Sequence, residues 1–280
     1  MLIGPLLRLA LPAPLIVISA AMLTAEAAPP LRGNLASHRA VYEINLARTE
    51  EGSGVSSASG RMVFEVTGNA CDGYRMRQRM VVNIGDEEGN LGLLDFRIAT
   101  FESSDGDLYS FDSRTTVNEK VVEAVEGEAR RLGSNIEVKL KQPLEKTVVL
   151  DGEALFPSQH LQAIIEAAAE DRNFLSVDIY EGAGAGDASD AAAAAIGSGA
   201  RSSRDNPLTA NLRHWPVSVG YFGDSGDDDG ASEELPSYQM SFTLYENGIT
   251  NDIVMDYGDY ALAGSLQEIE PIAGRRCLSR

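Results

Sequence analysis

The chain has 280 residues, 44% of them apolar, which suits one or two domains and is enough for a sizeable core. Asp and Glu outnumber Lys and Arg by 42 to 23, a net charge of −19. This balance argues against nucleic acid as the main partner, since phosphate binding needs a basic face, and against adhesion to anionic membrane surfaces.

The first element reads as a targeting segment. Arg8 is the only charge before an apolar run over residues 9–23. Ala25 and Ala27 then occupy the small-residue positions of a cleavage site, with Ala28 as the first mature residue. The run is short and carries Pro12 and Pro14, which suits a cleaved signal peptide over residues 1–27 better than a membrane anchor. Export makes Cys71 and Cys277 informative. They are the only cysteines, so one intrachain pairing exists, and an oxidising compartment favours it. A redox pair would sit closer in sequence, as in C-x-x-C, and a metal pair would need further ligands.

After residue 37 the pattern is mostly period-2 alternation, the signature of half-buried, usually antiparallel strands. Residues 38–48 place Ala40, Tyr42, Ile44 and Leu46 on one face, and residues 61–67 do the same with Met62, Phe64 and Val66. Residues 74–84 put Tyr74, Met76, Met80, Val82 and Ile84 together and Arg75, Arg77 and Arg79 opposite. The alternation continues over 94–101, 136–140, 147–150, 175–179, 216–222, 238–245 and 249–257. Asn247-Gly248 between the last two reads as a type I′ hairpin turn, which needs positive φ at both positions.

One stretch, residues 158–172, has the helical period, with Leu161, Ile164, Ile165 and Ala168 recurring at three and four. Pro157 and Ser158 suit its first turn or cap. A helix this apolar on one side must dock on a sheet, so residues 28–280 read as a single β-rich domain. Mobile loops are expected at about 197–211 and 223–237. The five alanines at 191–195 are ambiguous: propensity favours helix, while the neighbours suggest the second strand of a hairpin begun at Leu175.

No catalytic apparatus stands out. Gly223-Asp224-Ser225-Gly226 matches the surroundings of a trypsin-like nucleophile, but three aspartates follow it and neither His38 nor His160 sits in a matching motif. The same loop resembles a calcium loop in composition. With Gly230 sixth, however, Ser225 would be first and Pro236 twelfth, so the bidentate Glu is missing. His38, His160 and His214 lie far apart, so neither a metal nor a cofactor is expected. The remaining binding candidates are Arg75, Arg77 and Arg79, a cationic stripe suited to an anionic headgroup or a peptide carboxylate. In so acidic a chain, pairing with carboxylates is the commoner use, and Asp252, Asp256 and Asp259 are possible partners.

Several spaced segments together point to a family. They are residues 35–42 (LASHRAVY), 59–64 (SGRMVF), 71–74 (CDGY), 155–161 (LFPSQHL), 215–217 (WPV), 244–249 (LYENGI) and 256–260 (DYGDY), followed by Cys277. In these the chain resembles the EipB family, the periplasmic cell-envelope integrity proteins of alphaproteobacteria, over about residues 35–277. The resemblance implies a mostly β fold: a long antiparallel sheet coiled into an open, spiral-like barrel with one main helix packed against it. It also implies a Cys71–Cys277 disulfide and a non-enzymatic role in the envelope under stress, exerted on a periplasmic protein or envelope component. Fold-level analogy to half-barrel lipoprotein chaperones offers the alternative of a lipid or lipoprotein carrier. The alanine run at 191–195 and the enlarged loop at 198–211 depart from the family pattern.

Overall fold

The computed structural model describes residues 35–202, 206–223, 235–274 and 277. The signal peptide expected over residues 1–27, the motif serine Ser225 and most of the acidic loop lie outside the described residues. Eight strands run first: β1 His38–Thr49, β2 Ser57–Asn69, β3 Gly73–Gly85, β4 Leu91–Glu102, β5 Leu108–Val117, β6 Lys120–Leu132, β7 Asn135–Gln142 and β8 Lys146–Asp151. The helix α1 Pro157–Ala169 follows. Seven strands complete the fold: β9 Phe174–Ile179, β10 Asp190–Ile196, β11 Ala200–Arg201, β12 Arg213–Phe222, β13 Tyr238–Tyr245, β14 Thr250–Asp256 and β15 Tyr260–Pro271.

The strands form one antiparallel sheet in the order β8-β7-β6-β5-β4-β3-β2-β1-β15-β14-β13-β12-β10-β9, with β11 attached beside β12. Each hairpin adds the next neighbour, and pairing of β1 with β15 joins the two halves. The ends β8 and β9 do not pair, so the sheet is an open coil. A single parallel bridge, Leu155 to Ile179, spans the gap.

The coil leaves a wide apolar inner face that must be covered. Ala40, Tyr42, Ile44, Met62, Met80, Val82, Ile253, Met255 and Leu262 bury one part of it. The helix covers another: Ile164, Ala167 and Ala168 pack on Ile179, Ala192, Ala194, Ile196, Trp215, Val217 and Val219. This resolves the alanine run. Residues 191–195 are a strand, paired with β9 on one side and β12 on the other. Ala192 and Ala194 face the helix, and their small side chains let its backbone approach the sheet, a packing benefit that outweighs helix propensity.

A third cluster closes the gap between the ends. Phe156, at the N-terminus of α1, stacks on Tyr109 of β5, and Tyr180, just after β9, meets the same ring edge-on, with ring centroids 5.2 and 6.2 Å away. Phe111 completes the group, 5.8 Å from Tyr180. The Tyr109 and Tyr180 hydroxyls donate to the carbonyls of Glu181 and Gly186, at 2.9 and 2.8 Å. The chain after β9 thereby lies over the inner face of β5–β7. Two glycines make room for the approach. A Cβ on Gly182 would fall 2.6 Å from the Phe111 ring, and one on Gly127 would also fall 2.6 Å from it.

Two local readings need correction. The sequence pattern names no strand between residues 101 and 136, yet β5 and β6 fill that stretch. The hairpin at Asn247-Gly248 exists, but its turn is not type I′. Gly248 alone takes positive φ, at 84°, and its N–H donates to the Tyr245 carbonyl. The loop is therefore three residues, a tight turn followed by a left-handed glycine. Within residues 197–211, β11 pairs with β12, the Ser202 N–H donates to the Leu212 carbonyl, and the Thr209 and Ala210 N–H groups donate to the Asn206 carbonyl.

The structure bonds Cys71 to Cys277, with Cα atoms 5.7 Å apart, so the β2–β3 turn is tied to the C-terminus across 206 residues. Closing so long a loop is worth roughly 5 kcal/mol in the chain-entropy model. Cys71→Ser is expected to lower stability by about 2–5 kcal/mol, read from urea unfolding of oxidised wild type against the variant. Filling the helix seat is expected to cost as well. Ala194→Leu, which pushes into α1, should destabilise by about 1–3 kcal/mol, while Ala195→Val on the exposed face should stay within about 0.5 kcal/mol.

Candidate functional site

The described histidines do not form a catalytic unit. His38 on β1 is buried, and its Nδ1 donates to the Ala36 carbonyl at 2.6 Å, while Nε2 has no partner. Burial holds its pKa below the ordinary value. His160 on α1 is buried, its Nε2 without a partner, and burial pushes its pKa down to about 4. His214 on β12 leans on the Tyr245 ring. None of the three bonds a carboxylate, and no cluster of metal-ligating side chains occurs among the described residues.

The N-terminus of α1 covers a buried acid whose pKa is raised. Glu102, the last residue of β4, accepts from the Ser158 backbone N–H at 2.5 Å. Pro157 stands at the first helical position and Phe156 at the cap, so the orphan N–H groups of the first turn find Glu102 and, through Phe156, the Gln159 side chain. Arg131 of β6 donates to the Gly152 and Ala154 carbonyls and lies over the Phe156 ring. Burial raises the Glu102 pKa to about 7. Sequence reasoning passed over Glu102, because a single acid ending an alternating strand carries no motif.

The arginine stripe of β3 lies on the outer face, and the structure separates its members. Arg75 sits over the Phe101 ring, 4.5 Å from its centroid. Arg79 is bound by Asp95 of β4 through Nε–Oδ1 at 3.1 Å and Nη2–Oδ2 at 2.9 Å. Arg77 has no carboxylate partner among the described residues. The last hairpin does not serve them: Asp256 instead accepts from Arg48 of β1 at 2.9 Å. The correction is one of strand order, since β2 and β4, not β14, flank β3. Asp95 accepts from Arg97 as well, at 3.2 and 2.7 Å, so one carboxylate grips two guanidiniums. Those hydrogen bonds hold the Asp95 pKa well below the usual carboxylate range. The stripe continues onto the adjacent strands, where Arg61, Arg97 and Arg114 join Arg77 and Arg79 around a shallow groove of about 790 Å³.

The inner face offers a second surface. Phe64, Leu94, Phe96, Met240, Phe242 and Leu266 turn inward against the core but stay only half-buried. No described helix is long and apolar enough to cross a membrane.

The pKa shifts of Glu102 and His160 act oppositely on stability. Between about pH 4.5 and 7 the folded state holds a proton on Glu102 that the unfolded chain has lost, so stability falls as pH rises. His160 is neutral when folded and protonated when unfolded between about pH 4 and 6.5, so its contribution rises there. Glu102→Gln keeps the acceptor for Ser158 and removes the titration. Its stability relative to wild type is expected to improve from pH 5 to pH 8, by up to about 3 kcal/mol, in parallel urea titrations.

Residues 31–273 match the family described as EipB-like. The chain is 34% identical over 250 residues to the cell envelope integrity protein EipB of Brucella abortus (strain 2308), covering 88% of this chain and 87% of that one. It is also similar to a crystal structure from Brucella abortus described as a beta-barrel-like protein of a domain of unknown function. That similarity has a TM-score of 0.79 at 32% identity, covering 86% of this chain and all of the other.

Proposed function

The chain belongs to the EipB-like family, and from that premise we propose that it is an exported, non-enzymatic protein that maintains the cell envelope under stress by binding a periplasmic protein or another envelope component. The observation that carries this reading is the similarity, across nearly the whole of both chains, to a protein named for cell envelope integrity. Two features of the chain support an exported setting. The first 27 residues have the charge, apolar run and small-residue pattern of a cleaved signal peptide. The Cys71–Cys277 bond suits an oxidising compartment.

The half-buried apolar side chains of the inner face favour a second reading, a carrier of lipid or lipoprotein. A co-purified acyl chain found by lipid mass spectrometry would support the carrier. A specific protein captured by crosslinking in the periplasm would support the scaffold.

Deletion of the gene is expected to sensitise cells to detergents and cell-wall antibiotics more than it slows growth in plain medium. Ser225→Ala at normal abundance should restore resistance, and failure to do so would overturn the non-enzymatic reading. A deletion strain as robust as wild type under every envelope stress would overturn the role itself. Intact mass of the periplasmic protein should place its first residue at Ala28.

A further inference from the structure

We infer that the outer face of β2–β5 is a binding site for the phosphate groups of anionic lipid headgroups. This goes beyond the envelope reading and is tested on purified protein, so either can fail without the other.

The groove is lined by Arg61, Arg77, Arg79, Arg97 and Arg114 against two carboxylates, Glu65 and Asp112. Glu65 is already engaged by Arg39 at 3.4 Å. The sheet register sets like charges face to face. Arg79 is the direct cross-strand partner of Arg97, and Arg97 is that of Arg114. Strands stand about 4.8 Å apart, so the three residues form a row about 10 Å wide. Like charges directly opposite destabilise an empty sheet. Asp95 relieves only the first pair. Arg61, Arg77 and Arg114 have no ion-pair partner among the described residues. A row neutralised only in part is stabilised by a bound anion, and guanidinium forks match the oxygens of phosphate in a bidentate way.

The surroundings choose the source of the phosphate. Val63, Val81 and Ala99 form a small apolar floor between the arginines. Leu91 and Leu93 share the outer face of β4 with Arg97, and Val121 stands across from Thr116, which in turn stands across from Asp95. Leu91, Leu93, Val121 and Val122 are exposed by 69%, 39%, 53% and 60%. A cluster of bare aliphatic side chains beside a guanidinium row suits a lipid interface, where apolar contact and attraction to anionic headgroups add. The net charge of −19 repels an anionic surface at long range, so attachment is confined to this patch and is sensitive to salt.

The test is co-sedimentation of protein purified from its own cells with vesicles of phosphatidylcholine, with and without a one-third share of phosphatidylglycerol. Wild type is expected to bind only the anionic vesicles at low salt and to be released at about 0.3 M salt. The double variant Arg97→Glu with Arg114→Glu should bind at least about tenfold more weakly, as about fivefold per arginine implies. Leu91→Ser with Val122→Ser should also weaken binding. Arg48→Glu, on a paired arginine elsewhere, should leave it unchanged. Unfolding midpoints of the variants separate loss of the site from loss of the fold. Absence of wild-type binding at low salt, or equal binding by wild type and the Arg97/Arg114 variant, overturns the proposal. Tight binding of inorganic phosphate without vesicle binding assigns the groove to soluble anions and equally overturns it.

Discussion

An open sheet has two unpaired edges and an inner face that no second sheet covers, and the contact that meets both demands here is the aromatic group around Tyr109. Phe156 brings the N-terminus of the helix to β5, and Tyr180 brings the end of β9 to the same ring. Leu155, between β8 and the helix, bridges to Ile179. The two ends of the sheet are thus held near each other through the helix entry rather than by strand pairing. The close fit depends on small residues placed opposite large ones: Gly127 and Gly182 against Phe111, and Ala192 and Ala194 against α1.

This arrangement sets what each face can do. Inside, the helix and the segment after β9 cover parts of the apolar surface and leave Phe96, Met240, Phe242 and their neighbours half-buried. Outside, the long strands of β2–β5 place alternate side chains in register and gather arginines that are scattered through the sequence. Among the described residues, Coulomb repulsion within that row is relieved at Asp95 alone, where four hydrogen bonds converge on one carboxylate. The charge of the whole chain conceals this local excess.

Much of the architecture was legible in the sequence because half-buried strands write their period into it. The alternation over β1–β4 and β12–β14, the helical period after Pro157 and the spaced family motifs point to the observed sheet and helix. What was not legible has physical causes. Val125, Gly127 and Ala129 face inward on β6, but two of them are small, Gly127 because Phe111 and Leu140 fill the space, so the hydrophobic signal fades. The alanines of β10 are chosen for the helix they seat and not for strand propensity. The partners of the β3 arginines depended on which strand lies beside β3, and alternation reveals faces but not neighbours. Glu102 acquires its raised pKa only from the helix N-terminus folded over it.

The central claim is that the helix entry joins the two ends of the sheet into one cooperative unit. Native-state amide hydrogen exchange followed by mass spectrometry tests it most directly, because it resolves the opening free energy of each segment. The account predicts that α1, β9–β10 and the inner residues of β5–β7 open together, at a free energy close to that of β1–β3. Exchange of α1 and β9–β10 through a separate opening, several kcal/mol below the global one, would contradict it.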